Sequence, residues 1–128
     1  MRILIVDDDL SVAQTLSMIF RRHGYDAELA NDADQALDAV RQTPPDLVLC
    51  DIDMPGRDGI SLMKDLSCEV PECPILILTG FYSGLHRVRE FANTMRQEVS
   101  VVTKPCHPTE LLRHAGKLLG TTQGSVLR

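Results

Sequence analysis

Ile3-Leu4-Ile5-Val6-Asp7-Asp8-Asp9 and Leu47-Val48-Leu49-Cys50-Asp51-Ile52-Asp53 decide the fold, because in each an apolar run passes directly into carboxylates. An unbroken run of this length reads as a strand buried on both faces, the situation of a parallel sheet covered by helices on either side. Acids that follow such strands lie together at the carboxyl edge of the sheet, where open α/β sheets bind ligands. Two further runs obey the same rule: Ile75-Leu76-Ile77-Leu78 ends in Thr79, and Val99-Ser100-Val101-Val102-Thr103 ends in Lys104-Pro105. One edge therefore gathers a carboxylate cluster, a hydroxyl and an ammonium. A single aspartate after a strand is commonly a turn or cap residue. Several crowded at one edge repel one another and cost stability unless a cation or a phosphoryl group uses them.

Outward from these runs, strand-like and helix-like stretches alternate. After strand 2–6, Val12, Leu16, Ile19 and Phe20 recur at helical spacing until Gly24, a natural stop. A weaker strand falls at about 26–30. Asn31 or Asp32 then caps a helix with Ala33, Ala36, Leu37 and Val40 on one face, ended by Pro44-Pro45. Strand 47–51 leads through Met54-Pro55-Gly56 to a helix carrying Ile60, Met63 and Leu66, and Pro71 and Pro74 precede strand 75–79. Gly80 to Gly84 reads as a flexible loop, followed by an amphipathic helix with Leu85, Val88, Phe91, Ala92 and Met95. Strand 99–103 turns at Lys104-Pro105 into a helix opened by Pro108, with Leu111, Leu112, Ala115, Leu118 and Leu119 inward and Gly120 as its stop. The pattern is (βα)5, and right-handed crossovers make it a doubly wound α/β parallel sheet.

Composition narrows the function. A chain of 128 residues, 44% hydrophobic, is one domain. No window approaches the length of a membrane span and no signal-peptide core follows Met1-Arg2, so a cytoplasmic protein without membrane contact is expected. Residues 1–70 hold 14 acids against 6 bases, whereas residues 71–128 hold 4 acids against 7 bases. The acidity belongs to the half carrying the carboxylate cluster, and an acidic whole argues against direct nucleic-acid binding. Arg87, Arg89, Arg96, Arg113 and Lys117 read as solvated helix faces. Cys50, Cys68, Cys73 and Cys106 have no zinc-like spacing and read as free thiols, with Cys50 a small core residue.

Four fragments, Ile5-Val6-Asp7-Asp8-Asp9, the stretch 49–59 around Asp51-Ile52-Asp53-Met54-Pro55-Gly56, Leu78-Thr79-Gly80 and Thr103-Lys104-Pro105, resemble the receiver domain of two-component response regulators over about residues 1–120. The resemblance implies a flavodoxin-like five-stranded sheet in the order 2-1-3-4-5, with residues 121–128 as a short polar tail. It implies that Asp51 accepts a phosphoryl group. Asp7 and Asp8 would hold Mg²⁺ together with the Asp51 carboxylate and the backbone carbonyl of Asp53, and Thr79 and Lys104 would contact the phosphoryl oxygens. The donor would be a sensor histidine kinase or phosphotransfer protein, and the reader a downstream protein target or a second copy of the chain. The chain would then be no enzyme beyond catalysing its own phosphorylation and dephosphorylation. Physical chemistry agrees with each role: phosphoryl transfer is mostly positioning and charge neutralisation, Mg²⁺ takes one or two carboxylates, and lysine supplies a flexible point charge.

The chain also departs from that family's pattern. Val101 stands where the family usually has an aromatic switch, and Phe81 and Asp53 occupy positions that tune phosphoryl lifetime. Asp9 reads as the start of the first helix. The alternative is a small haloacid-dehalogenase-like phosphatase using the Asp51/Asp53 pair; its nucleophile belongs on the first strand and its acidic pair last, the reverse of this order, and the chain has no room for a substrate-recognising cap. A degenerate receiver serving only as a binding module is the third reading, and the full set of phosphorylation residues speaks against it.

Overall fold

In a computed structural model the chain runs β1 (Arg2–Val6), α1 (Leu10–Arg22), β2 (Asp26–Ala30), α2 (Ala33–Gln42), β3 (Leu47–Asp51), α3 (Gly59–Glu69), β4 (Ile75–Thr79), α4 (Tyr82–Ala92), β5 (Val99–Thr103) and α5 (Pro108–Leu119). The structure describes residues 1–52, 59–80 and 82–120. All strand pairings are parallel, in the order β2-β1-β3-β4-β5. The expected doubly wound sheet is therefore present.

The uninterrupted apolar runs have a simple cause. In β1, β3 and β4 successive side chains feed two separate cores. Leu4, Val6, Val48, Cys50, Ile75 and Ile77 pack with α2 and α3 and with Val88 of α4, whereas Ile3, Ile5, Leu47, Leu49, Leu76 and Leu78 pack with α1 and α5. Both faces of the three central strands are thus dry, and neither alternate position tolerates a polar residue. The edge strands differ. On β2, Asp26 and Glu28 point outward and the Arg2 guanidinium reaches both, at 3.4 and 2.8 Å. The side chains of β5 are all half-buried.

Helix ends follow side-chain chemistry. Asp9 caps α1, accepting from the N–H groups of Ser11 and Val12. Asp32, not Asn31, caps α2 by accepting from Gln35 N–H, while the Gln35 side chain accepts from Asn31 N–H, a reciprocal pair of the capping-box kind. His107 caps α5 through Nδ1, which accepts from Thr109 N–H at 3.1 Å. Gly24 after α1 and Gly120 after α5 take φ of +89° and +70°, the left-handed values that stop a helix. The four cysteines are free thiols: Cys50 and Cys73 are buried, Cys106 is half-buried and Cys68 is exposed.

Three expectations are corrected. The inner face of α1 is Ala13, Leu16, Ser17 and Phe20, and Val12 is 41% exposed. The Asp9 cap starts the helix at Leu10, and in that phase the small Ala13 and Ser17 face the sheet. The Ser17 hydroxyl is satisfied by the Gln14 carbonyl at 2.8 Å. Nor is Gly80–Gly84 a loop, because α4 already begins at Tyr82 and contains Gly84. Packing of Val88 and Phe91 against the core outweighs the ~1 kcal/mol by which glycine disfavours a helix interior. The same helix ends at Ala92, so Met95 packs on the core from the turn beyond it. Phe81 lies outside the described residues.

The phase of α1 is directly measurable. Ala13→Leu should lower stability by about 1–3 kcal/mol through overpacking, and Val12→Ser should change it by no more than about 0.5 kcal/mol. Urea unfolding of the two variants decides, and a larger loss for Val12→Ser would contradict the packing described.

Candidate functional site

Four strands deliver the site. Val6 pairs with Cys50, Asp51 with Leu78, and Thr79 with Thr103, so Asp7, Asp51, Thr79 and Lys104 all emerge at the carboxyl edge. Backbone hydrogen bonds lock these exits: Asp7 N–H donates to the Ala30 carbonyl at 3.0 Å, Ile52 N–H to Leu78 at 3.0 Å and Lys104 N–H to Thr79 at 2.8 Å. The Lys104-Pro105 peptide is cis.

Asp7, Asp8 and Asp51 each place a carboxylate oxygen within 4.8 Å of the others. Asp7 and Asp51 are 2% and 5% exposed, and Asp8 stands open to solvent at the rim. The Lys104 ammonium sits 2.7 Å from Asp51 Oδ2, and its side chain remains 38% exposed. Thr79, 2% exposed, completes the floor. Asp53, expected to offer a carbonyl, lies outside the described residues. The sequence thus foresaw the acids, the threonine and the lysine that the structure brings to one edge. It did not foresee Asp9's backbone N–H, which donates to Asp7 Oδ1 at 2.9 Å. The three-acid run was the only available signal for that contact.

Electrostatics report crowding. Burial pushes the Asp7 carboxyl up to about 6 from its ordinary 3.8; the Asp9 N–H and Lys104 oppose the rise, and the charges of Asp51 and Asp8 add to it. Beneath the site, burial followed by the charges of Asp51 and Asp7 pushes the Cys50 thiol up to about 12, so it stays protonated and takes no part. Among the described residues, the cluster of Asp7, Asp8 and Asp51 is a set of hard oxygen donors with no imidazole or thiolate in it. That donor chemistry fits Mg²⁺ and suits a soft metal poorly. No helix among the described residues is long and apolar enough to cross a membrane.

Comparison with known proteins gives the arrangement its context. The response regulator receiver domain family matches residues 3–115. The transcriptional regulatory protein ZraR of Escherichia coli is 44% identical over 81 residues, 63% of this chain and 18% of that protein. The DNA-binding response regulator MtrA of Mycobacterium tuberculosis is 45% identical over 79 residues, 62% of this chain and 34% of that protein. The chain therefore matches only about a third or less of these curated relatives' length. Solved structures of receiver domains match over nearly their whole extent. The receiver domain of Francisella response regulator 1452 has a TM-score of 0.81 at 29% identity, covering 93% of this chain and 96% of that one. A CheY-like receiver domain protein from Methanospirillum hungatei has a TM-score of 0.83 at 28% identity, with 93% of each chain covered. A family match across most of the chain, carried on the same doubly wound sheet, places this protein in the response regulator receiver domain family of two-component signalling.

Proposed function

We propose that the chain is a phosphorylation-controlled switch in which Asp51 accepts a phosphoryl group from a sensor histidine kinase or phosphotransfer protein. The observation that carries this reading is the 2.7 Å approach of the Lys104 ammonium to Asp51, with Asp7 and Asp8 gathered beside the same carboxylate. A carboxylate needs positive charge around it before it can meet an incoming phosphoryl group. Asp7, Asp8 and Asp51, with the Asp53 backbone carbonyl, would hold Mg²⁺. When bound, that ion supplies charge neutralisation at the acceptor and the phosphoryl oxygens. Lys104, a half-exposed flexible stem, supplies a second positive charge that follows the phosphoryl oxygens once they are in place. The Thr79 hydroxyl, held at the end of β4, donates to one of them. The chain's own residues thus bind and orient, and no substrate other than the phosphoryl donor is turned over.

The new charge, ~−1.5 to −2, biases a surface read by a downstream protein or by a second copy of the chain in the cytoplasm. The names of ZraR and MtrA connect those proteins to transcription and DNA. In this chain we assign recognition to a protein surface, with no direct nucleic-acid contact. Val101 is too short to serve as an aromatic reporter of Thr79, which leaves α4. Among that helix's described side chains only Val88 is fully buried, so it is loosely anchored and suited to move.

Four outcomes test the reading. Acetyl phosphate with Mg²⁺ should add one acid-stable, base-labile phosphoryl group by intact-mass spectrometry, and Asp51→Asn should add none; full modification of that variant, or of the wild type in chelator, sinks the assignment. A generic phosphate ester should not be turned over, since sustained turnover would favour the phosphatase alternative. The raised Asp7 carboxyl gives a third test through stability. Between about pH 3.8 and about 6 the folded state holds a proton that the unfolded chain has released, so the folded state loses stability as pH rises through that window. Above it the ionised Asp7 costs at most about 3 kcal/mol. In chelator, Asp7→Asn should therefore melt above wild type at pH 7 and close to it at pH 4, and Mg²⁺ should raise the wild-type midpoint alone. An equal gap at both pH values would contradict the charge account. Finally, hydrogen exchange with and without beryllofluoride should differ most between residues 80 and 97. Changes confined to the loops around Asp8 and Asp51 would remove α4 from the signal route.

A further inference from the structure

We propose that Asp9 is a positioning residue for the metal-holding carboxylate of Asp7, acting through the first turn of α1 rather than through its own charge. The inference rests on the reading that Asp7 and Asp8 hold Mg²⁺, and extends it to a residue with no place in that ligand set. Asp9 does two things at once. Its side-chain oxygen accepts from Ser11 N–H at 3.0 Å and Val12 N–H at 3.3 Å, and its carbonyl accepts from Ala13 N–H at 3.0 Å, so the start of α1 grips the residue from both sides. Its own N–H, on the other side of the same extended residue (φ −86°, ψ 103°), donates to Asp7 Oδ1 at 2.9 Å. A helix cap and the orientation of a buried carboxylate thus share one peptide unit. Fixing the cap fixes the donor, and the donor holds one Asp7 oxygen and with it the orientation of the carboxylate.

The contact is of backbone origin. The charges acting on Asp7 are those of Asp51, Lys104 and Asp8, and the influence of Asp9 on it comes from the hydrogen bond. The Asp9 side chain is exposed, so replacing it disturbs no core packing. Partners that orient a metal-holding group commonly tune affinity by about ten- to a hundredfold when lost. Coupling also runs both ways: if the cap orients Asp7, metal on Asp7 steadies the cap.

The test is a Mg²⁺ titration of the full chain, followed by backbone amide shifts, with amide exchange in chelator as a second readout. Asp9→Ala should weaken Mg²⁺ about tenfold. Asp9→Asn keeps the capping acceptor and removes the charge, and should stay within about twofold of wild type. Asp32→Ala, which removes the cap of α2, should lower the melting midpoint and leave Mg²⁺ affinity in place. In chelator, Asp9→Ala should lose protection at residue 9 as well as at Ser11 and Val12. Should that variant not fold, Asp9→Gly gives up the acceptor at smaller cost to the helix and makes the same comparison. Equal Mg²⁺ affinity in Asp9→Ala and wild type overturns the proposal, as does equal weakening by Asp9→Asn or by Asp32→Ala, or unchanged protection at residue 9. A wild type that takes up no Mg²⁺ would instead overturn the metal reading itself, and the exchange measurement would still decide whether Asp9 holds Asp7.

Discussion

The 2.7 Å contact between the Lys104 ammonium and the Asp51 carboxylate closes a ring of charge to which separate strands contribute, and the rest of the edge depends on it. Asp7 and Asp51 are almost wholly buried, Asp8 is close by, and among the described residues the Lys104 ammonium is set against this cluster. A buried carboxylate without compensation is expensive, and removing one partner of such a pair costs far more than the pair itself contributes. The rise of Asp7 to about 6 comes first from its burial and then from the charges of Asp51 and Asp8, against which the Asp9 N–H and Lys104 act. The site is therefore held under electrostatic tension, which a divalent cation or a phosphoryl group with its cation relieves.

Such tension persists only where the backbone cannot yield. The central strands have no solvent face along which to slip, because each apolar side chain belongs to one of two dry cores and a one-residue shift would exchange the two sets. The strand ends, and the acids upon them, are as fixed as those cores. Rigidity falls away towards β5, whose side chains are half-buried, and Lys104 leaves from that strand. The group best able to move is thus also the one whose charge, in the proposed function, would follow the phosphoryl oxygens.

The strands and their chemistry were legible in the sequence because burial on both faces writes an unmistakable apolar run, and a polar residue at its end marks the edge. Asp7, Asp8, Asp51, Thr79 and Lys104 were found that way. The phase of α1 was not legible: Val12 and Ala13 are both apolar, and the choice between them lies in the cap at Asp9, which sets where the helix begins. Gly84 misled for a related reason, since its local preference is weak beside the burial of Val88 in the same helix. His107 escaped notice as a cap because histidine is seldom used that way, and the Asp9 N–H because a backbone donor carries no letter of its own.

The cysteines distribute themselves unequally between the interior and the surface, with a practical result. Burial pushes Cys50 up to about 12 and Cys73 up to about 11, and Cys106 is also raised, whereas Cys68 stands exposed on α3. Thiolate, the reactive form toward alkylating reagents, is suppressed at three of the four positions. A maleimide dye or spin label offered near neutral pH therefore favours Cys68 in the native chain without any engineered cysteine, placing a reporter on the helix that follows the strand ending in Asp51.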